Sequence, residues 1–141
     1  MYYMQVRTPA DVGPFSSPYK VYANVSGWMT TAANGADVTL AFSYELLGFD
    51  LYVYNGVKYL KINSAGSRWN GYYLSVNKNG YLGLYSWSGA CGWAMSGTTL
   101  VCCYNGQPVG KSSDNFLRAA PGMLALRFEP TENDQLAVSL A

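Results

Sequence analysis

The sequence predicts an all-β domain of twelve short strands in three four-stranded units, and three observations carry that prediction. Tyr, Val, Thr and Gly are abundant, with 13 Tyr and 15 Gly in 141 residues, a composition suited to half-buried strands joined by tight turns. Asn34, Asn55, Asn70, Asn79 and Asn105 are each followed by Gly, the strongest short-range hairpin signal. Apolar residues alternate with polar ones in DVTLAF, KYLKI, YLGLY and MLALRF, whereas no window of helical length carries the 3.6-residue period.

Taken in order, YYMQVR reads as an N-terminal edge strand left over from the repeats, and Thr8 to Pro18, rich in Pro, Ser and Gly, as a loop. Three segments then align as strand, turn and strand: WMTTAANGADVTLAFS from Trp28, YLSVNKNGYLGLYSW from Tyr73 and FLRAAPGMLALRFEP from Phe116. Their inward anchors are Met29, Leu74 and Leu117 on the first strand. On the second they are Val38 with Leu40, Leu82 with Leu84, and Leu124 with Leu126. Each hairpin is preceded by a strand (YKVYA, KYLKI, TLVCC) and followed by one (FDLYVY, CGWAM, QLAVSL). In the following strands Leu51 and Val53, Trp93 and Met95, and Leu136 and Val138 take the inward places, and the joins VYNGVKY and AMSGTTL look alike. The units cover about 19–56, 57–97 and 98–141, with 1–18 as the N-terminal strand and loop of one domain. A second register is open for the first unit, because YKVYANVSGWMTTA also aligns with YYLSVNKNGYLGLY without a gap; the register that leaves FDLYVYNGVKYLKI as a join is preferred.

Three four-stranded units of this length resemble a β-trefoil, with a β-sandwich as the competing architecture. The resemblance runs from about Pro18 to the end. It is strongest in the middle unit, where Gly-x-Tyr-Leu-Ser-Val precedes Asn-Lys-Asn-Gly-x-Leu-x-Leu and a Trp follows, as in repeats of ricin-B-type and fungal trefoil lectins, fascin and fibroblast growth factors. The place of the sugar-binding Asp in ricin-type repeats falls near Ser75, with Thr30 and Arg118 in the outer units, and the Gln-x-Trp signature is reduced to Cys91-Gly92-Trp93. A galactose site of ricin type is therefore not implied, and the variable fungal or bacterial pattern is the better comparison.

Composition narrows the chemistry. A formal net charge of +1 with cations scattered singly gives no basic stripe for nucleic acid. The absence of His removes the usual neutral-pH base and the commonest zinc ligand, so no metal or cofactor is implied. Cys91, Cys102 and Cys103 read as buried free thiols, the adjacent pair pointing to opposite faces of a strand, with a disulfide from Cys91 to Cys102 or Cys103 as the alternative. Glu129, Glu132 and Asp134 form the one acidic segment and read as solvated charge, so the chain reads as non-enzymatic. No signal peptide or membrane-inserting stretch is apparent, which predicts a cytoplasmic protein or one released without a leader; a monomer and a homodimer both remain open.

Alternation points Tyr81, Gly83, Tyr85 and Trp87 outward, where the other units offer Thr39, Ala41 and Ser43, or Ala125, Arg127 and Glu129. Aromatic faces stack on the C–H patches of sugars while short polar groups bond the hydroxyls. The predicted ligand-binding set is Tyr85, Trp87, Trp69, Asn70, Tyr73, Asn77 and Asn79, with Asn63, Ser64 and Arg68 nearby, and glycans or glycoconjugates as partners. Tyr85 matches the stacking position that the trefoil resemblance implies. The alternative is a protein-interaction trefoil such as a protease inhibitor, using loops Thr8 to Pro18 and Asn105 to Asn115.

Overall fold

The computed structural model describes residues 1–7, 18–31, 44–123, 125–130 and 135–140. Among these the chain is all-β: β1 (Tyr2–Arg7), β2 (Tyr19–Lys20), β3 (Tyr22–Asn24), β4 (Met29–Thr30), β5 (Tyr44–Glu45), β6 (Gly48–Tyr54), β7 (Val57–Ile62), β8 (Tyr73–Val76) and β9 (Leu82–Tyr85) come first. A 3₁₀ turn (Trp87–Gly89), β10 (Trp93–Ser96), β11 (Thr99–Cys102), β12 (Val109–Lys111), β13 (Leu117–Ala119), β14 (Arg127–Pro130) and the six-residue helix α1 (Gln135–Leu140) follow.

Six of these strands succeed one another around a closed circuit. β1 pairs with β6, β6 with β7, β10 with β11 and β14 with β1, all antiparallel. β7 packs beside β10, and β11 beside β14, where the Phe128 N–H donates to the Thr98 carbonyl at 2.7 Å. β10 and β11 form a two-stranded sheet of their own, so the circuit closes at both of its ends by packing and not by a strand ladder. Inside lie Met4, Val6, Phe49, Leu60, Ile62, Trp93, Met95, Leu100, Cys102, Leu126 and Phe128. Buried Trp93 donates its indole N–H to the Leu74 carbonyl at 3.0 Å, tying the circuit to the hairpins.

Three hairpins, β3–β4, β8–β9 and β12–β13, have turns built alike. At the start of each turn the N–H of Asn24, Asn77 or Ser112 bonds the carbonyl of Trp28, Tyr81 or Phe116, respectively. In the first two, the Asn side-chain oxygen also receives two N–H groups, from Ser26 and Trp28 and from Asn79 and Tyr81. The fourth turn residue takes a left-handed φ of 83° at Gly27, 86° at Gly80 and 73° at Asn115. The hairpins also join in a cycle: Trp28 bridges Gly83, Tyr81 bridges Arg118 and Phe116 bridges Thr30. The same cycle appears in the hydrogen bonds, since the carbonyls of Gly27, Gly80 and Asn115 accept from the N–H of Leu84, Ala119 and Thr31 at 2.9, 2.7 and 3.0 Å. Met29, Leu82 and Leu117 follow the bridging rings in sequence and are fully buried.

This arrangement corrects several sequence expectations. YYMQVR is no leftover edge strand, because β1 lies between β14 and β6 and closes the circuit. In the last segment the hairpin forms across Ser112–Asn115 rather than across Pro121-Gly122, so Leu117 corresponds to Leu82 and not to Leu74. In the first, Met29–Thr30 pairs back with β3, following the gapless register. The expected second strand there, with Val38, Leu40, Thr39, Ala41 and Ser43, lies outside the described residues, as do Leu124, Glu132, Asp134 and nearly all of the Thr8 to Pro18 loop. Asn105 to Asn115 contains β12 and is not one long loop. QLAVSL forms α1: Leu136 and Leu140 are four apart and buried, while Val138 is 75% exposed, which is helical rather than strand geometry. Val53, expected inward, sits near the β6–β7 hairpin tip, 55% exposed beyond the reach of the core.

Candidate functional site

The β6–β7 hairpin is closed by Asn55-Gly56, both at positive φ as a tight two-residue turn requires. Its register sets Tyr52 opposite Tyr59, Tyr54 opposite Val57 and Asp50 opposite Lys61, while β8 sets Tyr73 opposite Lys61. Residues directly opposite share a face. Phe49, Leu60, Ile62 and Leu74 take the inner face, so Asp50, Tyr52, Tyr54, Tyr59, Lys61 and Tyr73 share the outer one.

Trp87, carried by the 3₁₀ turn, comes down onto this face. Its ring centroid lies 4.8 Å from Tyr59, 5.1 Å from Tyr73, 5.4 Å from Tyr54 and 5.7 Å from Tyr52. Three of these four contacts are edge-on, the arrangement that ring quadrupoles favour. Tyr73 forms the floor at 8% exposure, while Tyr54 and Trp87 remain 49% and 44% exposed. The Lys61 ammonium lies 5.3 Å from the Tyr52 ring centroid and 5.6 Å from that of Tyr73, a cation held on the aromatic surface.

Lys61 also borders a polar cleft of about 330 Å³ lined by Asp50, Ile62, Asn63, Asn70 and Gly71. Asn63 donates through Nδ2 to Asp50 Oδ2 at 2.7 Å, and Asn70 Oδ1 accepts from the Ser64 N–H at 2.9 Å. Lys61, Asn63 and Asn70 thus bring an ammonium and two amides to the lining of the cleft. Rings on one side and short amides on the other can hold a flat ligand that is apolar on its faces and hydroxylated at its edge.

The seven predicted site residues separate into groups. Trp87 and Tyr73 share the ring cluster, and Asn70 lines the cleft beside Lys61. Tyr85 points outward as alternation requires, but its ring packs against Trp28 at 6.5 Å, and a Cβ on Gly89 would stand 3.1 Å from it. Burial raises its phenol above the ordinary value, and Cys91 adds to the shift. Gly83 is covered by Trp28, whose ring would meet a Cβ there at 2.9 Å. Asn77 closes its own turn, and the Asn79 carbonyl accepts from Arg118 Nε at 2.7 Å. Trp69 packs over Gly27 and against Tyr72, and its buried indole nitrogen has no hydrogen-bond partner among the described residues. Tyr52, Tyr54, Tyr59, Asp50 and Lys61 were not in the predicted set. The period-two pattern that placed Leu51 inward carries the signal for them, since it puts Tyr52 and Tyr54 on the opposite face.

The cysteines are free, and Cys102 and Cys103 face opposite ways as predicted. Cys103 is exposed, against the expectation of burial, because it lies just beyond the end of β11. Cys91 and Cys102 Sγ stand 3.8 Å apart; their shared contact pulls Cys102 down to about 6 and pushes Cys91 up. Glu129 accepts from Arg7 Nε at 2.8 Å between paired strands β14 and β1, a structural tie rather than solvated charge. Among the described residues no three His, Cys, Asp or Glu side chains converge as metal ligands, and no helix is long and apolar enough to cross a membrane. Comparison of the chain with protein-family models, curated proteins and solved structures gives no match.

Proposed function

We propose that the chain is a non-enzymatic β-trefoil lectin that binds glycans at the ring cluster of β6, β7 and β8 and the amide-lined cleft beside it. The trefoil reading is supported by the closed circuit of six strands and by the three-way cycle of hairpin bridges. The carbohydrate reading rests on one observation: Trp87, nearly half exposed, sits on four tyrosine rings, and Lys61, whose ammonium lies over two of those rings, also lines the cleft with Asn63 and Asn70. A ring face can take the C–H side of a sugar while amides and ammonium bond its hydroxyls, the division of labour of a shallow polar-ligand site. The site thus moves along the outer face, from Tyr85 opposite Tyr73 on β9 to the rings of β6 and β7.

A glycan array followed by titration calorimetry on the best hit tests this. Trp87→Ala, at a partly exposed position, is expected to lower affinity by about tenfold or more while the variant still unfolds in one cooperative transition. Asn70→Ala is expected to do so more mildly. A folded Trp87→Ala that binds like wild type removes the site. A wild-type protein that gives no glycan signal and inhibits a protease favours the interaction reading instead.

A further inference from the structure

The cycle of hairpin bridges brings together three rings outside the proposed glycan site. Trp28, Tyr81 and Phe116 occupy the same place in the three hairpins and line a cavity of about 220 Å³, together with Asn77 and Asp114. Tyr81 and Phe116 stand 6.5 Å apart and nearly perpendicular, so they present walls rather than a stacked pair. The polar lining is sparse. Asn77 Oδ1 is committed to two N–H groups of its own turn, and among the described lining residues the Asp114 carboxylate, hydrogen-bonded to the Ser112 hydroxyl, is the charged group. The volume is below the roughly 300–1,000 Å³ of sites for drug-sized ligands. It suits a compact cation without N–H donors, attracted by the negative faces of the rings and by a carboxylate at the edge. The Arg118 guanidinium, held by the Asn79 carbonyl, already lies 4.9 Å from the Tyr81 centroid, so the ligand charge would be met chiefly by Asp114 and the other two rings.

We infer that this cavity is a binding site for a quaternary ammonium group of the choline type. Its chemistry differs from that of the glycan cleft, so the two readings stand or fall separately.

Calorimetric titration of the wild-type protein with choline chloride, and in parallel with its uncharged carbon isostere dimethylbutanol, isolates the charge. Choline is expected to bind saturably and about tenfold or more tightly than the isostere. Asp114→Asn, on an exposed turn, is expected to weaken choline several-fold while leaving the isostere unchanged, and Phe116→Leu to weaken choline as well. Co-sedimentation with phosphocholine vesicles but not with phosphoglycerol vesicles would assign the group to a lipid headgroup; binding of free choline alone would assign it to a soluble amine. Equal affinity for choline and dimethylbutanol, the absence of saturable choline binding, or indifference to Asp114→Asn overturns the inference.

Discussion

Replacing Gly80 with Ala probes the joint on which the three-hairpin cycle depends. Gly80 has φ +86°, and a Cβ there would stand 2.2 Å from the Ala119 carbonyl oxygen and 3.0 Å from its carbon. Holding Ala in the left-handed region costs about 1–2 kcal/mol. To reach an ordinary contact of 3.4 Å the two backbones must separate by 1.2 Å, the difference between the two distances. Gly80 O and Ala119 N are also joined by the 2.7 Å hydrogen bond of the cycle, which cannot survive that displacement. Leaving its buried groups unpaired adds about 1–3 kcal/mol, so Gly80→Ala is expected to cost roughly 3–4 kcal/mol in all. For a domain of this size that lowers the melting temperature by about 10 °C. Gly122→Ala is the control: its φ is +77°, but nothing lies within 4 Å of a Cβ there, so only the conformational cost applies. Urea titrations of the two variants should differ by about 2 kcal/mol. Equal loss in both would refute the rigid approach of the β8–β9 turn to β13.

Three further outcomes follow from the same geometry. Asn77→Ala and Asn24→Ala each remove the acceptor of two turn N–H groups, so each should cost about 1–2 kcal/mol in thermal melts; values differing by much more than about 1 kcal/mol would show that the two turns are not built alike. Leu136→Ala should cost about 2–5 kcal/mol and Val138→Ala under about 0.5 kcal/mol in denaturant unfolding, and the reverse order would restore the strand reading of QLAVSL. Brief alkylation of the native protein should modify Cys103 alone, faster as pH rises because burial pushes that thiol up. Cys102 should stay unlabelled until unfolding although its thiol is pulled down, since it has no exposed surface; mass mapping that finds native label on Cys102 contradicts this.

The middle hairpin was legible because its signals agree: Asn77-Lys78-Asn79-Gly80 supplies a side-chain acceptor and a residue free to take positive φ, and alternating Leu82 and Leu84 follow. The last hairpin was not, because its turn is Ser-Ser-Asp-Asn with Asn115 in the left-handed position, while Pro121-Gly122 offers a stronger turn signature that the chain spends on a connection. QLAVSL fits both periods, since Leu136 and Leu140 are two strand repeats or about one helical turn apart. Burial of those two without Val138 decides between them. In the candidate site, Trp87 was legible as an outward ring. Its tyrosine neighbours were not, because β6 and β7 read as a join rather than as a wall of the site.

By itself the sequence determined what depends on residues two to four positions apart: strands rather than long helices, the β6–β7, β8–β9 and β10–β11 turns, and the side of the middle hairpin on which Leu82, Leu84, Tyr85 and Trp87 lie. Only the tertiary structure decided that Trp87 rests on Tyr52, Tyr54, Tyr59 and Tyr73 rather than lining up with Tyr85, and that Trp28, Tyr81 and Phe116 meet around one cavity. These contacts join segments up to 88 residues apart, from Trp28 to Phe116. Local periodicity assigns a ring to a face, but which rings share that face depends on how the closed circuit sets one strand against the next.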